Sequence, residues 1–104
     1  MTDHEKNIPA LVKQAVHEID PHAHVYLFGS RARGDSNGES DWDFLILTGN
    51  PVNEQYKTEV RERILSIGLE TSQVIQTLIQ NFQRWDDFEL SVRNQNINRE
   101  KVKL

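Results

Sequence analysis

Cysteine is absent from this 104-residue chain. That excludes disulfides and thiolate metal sites, and a cysteine-free chain is expected in the cytoplasm by default. Also lacking is any apolar run near the roughly 20 residues needed to span a bilayer. The first ten residues, MTDHEKNIPA, carry neither the basic nor the apolar region of a signal peptide. A basic excess is missing too. Lys and Arg total 12 against 16 Asp and Glu, for a formal net charge of −4. Stand-alone binding to DNA or RNA relies on a positive footprint, so a nucleic-acid substrate would need a partner to supply much of the affinity. There is no internal repeat, low-complexity segment or linker. What remains, at 37% hydrophobic and 27% charged residues, fits one soluble globular domain over residues 1–104 with a modest core.

Apolar periodicity organises the chain. Ile8, Leu11, Val12, Ala15, Val16 and Ile19 recur at helical spacing, with Asn7 as an expected N-cap, Pro9 in the first turn and Asp20-Pro21 as the stop. His24 to Phe28 reads as a strand, Ser30 to Gly34 as a short helix and residues 35–40 (DSNGES) as a polar loop. A second strand is predicted from Asp41 to Leu47, ending at Gly49-Asn50-Pro51. Tyr56, Val60, Ile64 and Ile67 then mark an amphipathic helix with Gly68 as its C-cap. Residues 70–79 (ETSQVIQTLI) read as a third strand. Trp85, Phe88, Leu90, Val92 and Ile97 suggest a last helix that starts near Asp86 or Asp87. Helices interleaved with a few strands give an α/β or α+β fold, a small sheet with helices packed on it.

The chemistry is concentrated in residues 25–47, VYLFGSRARGDSNGESDWDFLIL. Residues two apart on a strand share a face, so Asp41 and Asp43 should project together. Two adjacent carboxylates repel, and a hard divalent cation with its preference for oxygen ligands would explain them. Upstream, a strand that ends in Gly29-Ser30 and leads into a helix offers free backbone N–H groups to a phosphate. Trp42, of opposite parity, is expected to pack under a helix, and Ser40 to order the loop before the aspartates. Arg31 or Arg33 could donate to phosphate oxygens; alternatively Arg33 pairs with an acid of the 35–43 loop. Of the four histidines, His4, His17, His22 and His24, the last two share a strand face but belong to a solvated turn rather than a metal site.

The order strand, GSRARG, polar loop and SDWDFLIL resembles the nucleotidyltransferases of the DNA polymerase beta superfamily. More narrowly, the chain is similar to the minimal nucleotidyltransferase (MNT) domains, small bacterial proteins often paired with a HEPN-domain partner in toxin–antitoxin systems. The resemblance implies a small mixed sheet with helices. It also implies transfer of a nucleoside monophosphate, AMP from ATP, to an acceptor hydroxyl with release of pyrophosphate. Carried over, Asp41 and Asp43 would coordinate Mg²⁺, Gly29 would let the backbone approach the phosphates, and Ser30 and Arg33 would bind them. The implied acceptor is a HEPN protein, silenced by modification.

One departure from the family pattern stands out. Active members place a third carboxylate on a neighbouring strand, whereas ETSQVIQTLI contains only Glu70, with Gln73 where related domains can carry an acid. Glu70 is therefore the candidate third acid, and without it deprotonation falls to water. A second function follows from this, a binding module that inhibits its partner by masking; a third is a domain that senses nucleotide.

Overall fold

The computed structural model describes residues 3–87 and 92–104. Helix α1 (Asp3–Ile19) leads into strand β1 (His24–Phe28), the short helix α2 (Ser30–Arg33) and strand β2 (Trp42–Thr48). Helix α3 (Glu54–Thr71), strand β3 (Ile75–Asn81), helices α4 (Phe82–Asp87) and α5 (Val92–Glu100) and strand β4 (Val102–Lys103) complete it. The four strands form one sheet in the order β3-β2-β1-β4. β1 runs antiparallel to both β2 and β4, while β2 and β3 are parallel. Parallel neighbours need a crossover, and α3 supplies it. The expected mixed sheet with packed helices is what forms. No helix among the described residues is long and apolar enough to cross a membrane.

β2 is the spine of the molecule, and its alternation decides where the site lies. Trp42, Phe44 and Ile46 point to one face, where Ile8, Val12 and Val16 of α1 and Tyr56, Val60 and Ile64 of α3 close over them. Leu45 and Leu47 point to the other, against Trp85 of α4 and Ile97 of α5. A strand covered on both faces reads as a continuous apolar run, as Phe44 to Leu47 does. Asp43 shares parity with Leu45 and Leu47, so it emerges on the α4–α5 side, at the end of the strand where the helical cover stops.

A buried polar cluster pins the other end of β2. Asp20, 4% exposed, accepts hydrogen bonds from the Thr48 hydroxyl at 2.5 Å and from the Tyr56 hydroxyl at 2.8 Å. The end of α1 is thereby tied to β2 and α3. Burial pushes the Asp20 carboxyl upward, but the hydroxyl donors and further hydrogen bonds from Asn50 and the His22 backbone outweigh it, so its pKa lies below the ordinary value.

Several boundaries differ from the sequence expectation. α1 begins at Asp3, upstream of the expected Asn7 cap, with Pro9 inside the helix. Pro9 lies near enough to the start that its missing N–H forfeits a single ladder bond. α3 continues past Gly68 to Thr71, because Ser72 takes the left-handed cap conformation (φ 57°) and its N–H bonds the Gly68 carbonyl. Gly68 has a packing role instead: a Cβ there would lie 2.9 Å from the Gln73 carbonyl oxygen. β3 therefore starts at Ile75, and residues 70–74 are not strand. In place of a helix starting near Asp86 or Asp87, the described residues show α4, which begins at Phe82, and α5, which begins at Val92; Phe88 and Leu90 lie outside the described residues. β4 was not anticipated at all.

Candidate active site

β1 ends at Phe28, which is paired with Asp43 of β2, and Asp43 is paired in turn with Gln76 of β3. Paired residues on adjacent strands point the same way, so Phe28, Asp43 and Gln76 form one row across the sheet on the α5 side. Asp41 lies just before β2, and its carboxylate accepts the Gln76 side-chain amide at 2.8 Å. Asp41 is close enough to Asp43 for its charge to be felt there.

The chain leaves β1 through Gly29, whose φ of 77° is a left-handed conformation. A Cβ at Gly29 would overlap the Asp43 carboxylate, so glycine is demanded both by the backbone and by the neighbour. This close approach sets the backbone N–H groups that open α2 next to the carboxylates. The first turn closes on the Gly29 carbonyl, which accepts from the Ala32 and Arg33 N–H groups. The Ser30 and Arg31 N–H groups precede that turn and have no intrahelical acceptor. The turn ends at Gly34 in a left-handed cap, a purely structural role.

Arg31 and Arg33 have separate tasks. The Arg31 guanidinium lies 4.3 Å from the Trp42 ring centroid and donates to the Ser40 carbonyl at 2.9 Å. Its Nε is buried without a hydrogen bond, and the ring face provides the favourable electrostatics. Arg31 is therefore a clip that holds the loop before Asp41. The Ser40 hydroxyl accepts from the Asn37 N–H at 2.9 Å, ordering the same loop. Trp42 is buried in the α1–α3 core, opposite the aspartates, and its indole N–H donates to Gln73.

Arg33 is exposed and faces the cleft. It donates to Asp35 at 3.2 Å and to Glu100 at 3.1 Å, so the pairing with a loop acid weighed in the sequence is present and is only half of its environment. The other half comes from the end of α5. The second oxygen of Glu100 accepts the Gly29 N–H at 3.0 Å. Gly29, Ser30, Arg33, Asp43, Arg99 and Glu100 together border a cleft of about 890 Å³. Sequence inspection did not find Glu100, and no local signal could have revealed it, since 71 positions separate it from its Gly29 partner.

Burial raises the pKa of Asp43 first, the charge of Asp41 raises it further and Glu100 adds to this, with Arg33 opposing. A carboxylate so placed gains from a nearby cation, and two hard oxygen donors on one face suit a divalent metal. The donor set is limited, however: among the described residues no group of three or more His, Cys, Asp or Glu side chains could hold a metal ion. Glu70, expected at the head of the third strand, lies instead in the last turn of α3 and is exposed. The helix runs on past Gly68 and carries Glu70 with it. Gln73 contacts Trp42 on the opposite side of β2. Gln76 occupies the row position beside the aspartates, and an amide can accept from or donate to its neighbours but cannot act as a base there.

His17 and His24 make structural contacts. His17 Nε2 contacts the Ala23 carbonyl at 2.9 Å, and His24 packs edge-on against Phe82 with centroids 4.9 Å apart. His22 is exposed.

The nucleotidyltransferase domain family matches residues 10–101, and the chain belongs to it. Among solved structures, the fold is similar to that of a Sulfolobus solfataricus protein provisionally described as a nucleotidyltransferase. The TM-score is 0.58 at 20% identity, over 99% of this chain and 86% of the other. No curated protein sequence shows significant similarity to it.

Proposed function

We propose that this chain transfers a nucleoside monophosphate, AMP from ATP, to a hydroxyl of a macromolecular acceptor. The acceptor in this reading is a HEPN-domain protein, for which the chain serves as antitoxin. One observation carries the proposal: Asp43, within reach of the Asp41 charge, meets the Gly29–Ser30 turn and Arg33 at a single cleft.

Asp41 and Asp43 would hold Mg²⁺. When bound, the ion supplies Lewis-acid neutralisation of the triphosphate and of the departing pyrophosphate, and it favours ionisation of the attacking hydroxyl. The chain's own groups position the reactants. Backbone N–H groups at Gly29 and Ser30 and the Arg33 guanidinium bind phosphate oxygens. The Ser30 hydroxyl adds a neutral donor. Arg31 and Ser40 fix the approach of Asp41, and Gln76 orients its carboxylate. The acceptor oxygen bonds to the α-phosphorus as the bond to pyrophosphate breaks. Because Gln76 cannot take the hydroxyl proton, it passes to solvent water. Phosphoryl-type transfer depends mainly on positioning and electrostatics, which these residues provide. The assay uses ATP labelled at the α-phosphate, Mg²⁺ and the partner protein, with Asp41→Ala/Asp43→Ala beside the natural chain. Label should appear on the partner with the natural chain only; equal labelling by the double variant would remove the assignment.

A second reading is favoured by Gln76 standing in the row where an acid would complete the site. In it the chain inhibits its partner by covering it, without chemistry. The double variant would then still neutralise the partner in cells. Loss of neutralisation with the complex intact would leave transfer as the working mechanism.

A further inference from the structure

Glu100 reaches back from the end of α5 and satisfies two donors that face the cleft, the Gly29 N–H at 3.0 Å and the Arg33 guanidinium at 3.1 Å. A carboxylate that bridges a backbone N–H and a guanidinium has the size, charge and acceptor geometry of one edge of a phosphate group. It is also like-charged with Asp43, which faces the same cleft. Glu100 is therefore held by the two donors against local repulsion, and an anion with more negative oxygens would compete for both.

What Glu100 anchors is short, and it is held in turn by Leu104, which packs against the α1–α3 core. One residue separates Glu100 from β4, which is two residues long and whose strand neighbour among the described residues is β1. The Leu104 N–H donates to the Val25 carbonyl at 2.9 Å, and Val102 is 48% exposed. One turn earlier, Ile97 is 4% exposed in the core. Any release of Glu100 therefore stops short of α5 as a whole and concerns residues 100–104.

We propose that Glu100 is an internal occupant of the phosphate-binding donors, so that a polyphosphate anion binds by displacing its carboxylate and thereby loosens the C-terminal strand from β1. This rests on the reading of Gly29 and Arg33 as phosphate donors, and adds to it a coupling between cleft occupancy and the sheet edge. The order of events follows from shared donors: Gly29 has one N–H, and it cannot serve Glu100 and a phosphate oxygen at full strength together. The displaced carboxylate returns to solvent, and Lys101 to Leu104 lose a tether at their root. The acceptor protein would meet a surface whose edge differs between the empty and loaded states.

The test uses inorganic tripolyphosphate as probe, with EDTA and at low ionic strength, so that metal binding by Asp41 and Asp43 does not enter. Calorimetry on the natural chain, Glu100→Gln and Glu100→Ala should show tightening in that order, roughly tenfold for the alanine variant, because a charge-assisted competitor has been removed. Glu100→Ala binding no more tightly than the natural chain would overturn the proposal, as would no binding by any of the three. A second measurement needs no variant. Amide exchange of Leu104 in the natural protein should accelerate when tripolyphosphate is added, and unchanged or slower exchange would equally overturn it. Nucleotidyl transfer is judged apart, by α-phosphate label. Transfer can fail while displacement stands, and displacement can fail while transfer stands.

Discussion

Gly29 and Asp43 are packed so closely that the backbone of one leaves no room for a side chain beside the carboxylate of the other. The glycine also adopts φ 77°. Gly29→Ala should therefore strain the backbone and push Asp43 aside together, at a cost of ~1–3 kcal/mol for the conformation alone. Denaturant unfolding would register this as a lower midpoint at unchanged slope. A midpoint equal to that of the natural chain would mean that the two residues do not confront each other.

Asp43 bears an energetic cost that a neutral isostere would relieve. Its pKa is raised by burial, then by Asp41 and Glu100. A carboxyl with a raised folded-state pKa contributes most to stability below its unfolded value, near 3.8, and loses that contribution as pH rises through the folded value. Asp43→Asn should consequently unfold at a higher temperature than the natural chain at neutral pH, with the gap closing below pH ~3.8. The same variant should lose Mn²⁺ binding, followed by electron paramagnetic resonance. Higher stability with lower metal affinity separates a functional carboxylate from a structural one.

The legible part of this protein was the part whose signals are local. β1 ends where an apolar run meets Gly29, and β2 spans the next run, so both strands, the short helix and the pairing of the aspartates could be read directly. The mixed sheet followed from the alternation of helices and strands. Gly68 misled, because a glycine in a helical pattern serves equally as a cap or as room for a neighbour, and only the return of Gln73 against it decides. That shift moved Glu70 onto α3 and hid Gln76, whose position depends on parallel register across an intervening helix. Glu100 depends on tertiary contact with Gly29 and Arg33, and β4 on pairing with β1, and nothing in their own sequence announces it.

Acid and alkali should attack the Asp20 cluster from opposite sides. The Asp20 pKa is lowered, so its contribution is present above the unfolded value near 3.8 and is lost as pH falls through the folded value. Tyr56 is pushed up to about 12, first by burial, with the Asp20 carboxylate contributing. Its contribution is complete below pH ~10 and is lost as pH rises from there through the folded value of about 12. Asp20→Ala leaves the buried Thr48 and Tyr56 hydroxyls short of an acceptor and should cost ~2–4 kcal/mol. Tyr56→Phe should cost less, ~1 kcal/mol, and remove this group's share of the alkaline loss. Unfolding midpoints from pH 3 to 12 provide the check. A Tyr56→Phe alkaline limb identical to that of the natural chain would place the effect elsewhere.

Gln76 offers the sharpest distinction between a working transferase and a masking module that has kept the fold. It is paired in register with Asp43 and donates to Asp41, so Gln76→Glu would set a third carboxylate in the same row. Without metal the added charge has two like charges for neighbours and the amide donor to Asp41 is lost, so the variant should unfold at a lower temperature. With Mn²⁺ the sign reverses, since affinity in oxygen-ligand sites rises with the number of charged ligands. Binding should tighten by ~10-fold, and the metal-induced rise in unfolding temperature should exceed that of the natural chain. Unchanged affinity would show that position 76 does not face the cation. If affinity rises and transfer to the acceptor rises with it, the natural chain is a transferase limited by its two-carboxylate site. If affinity rises while neither protein labels the acceptor, metal was never the missing part, and the balance moves to inhibition by masking.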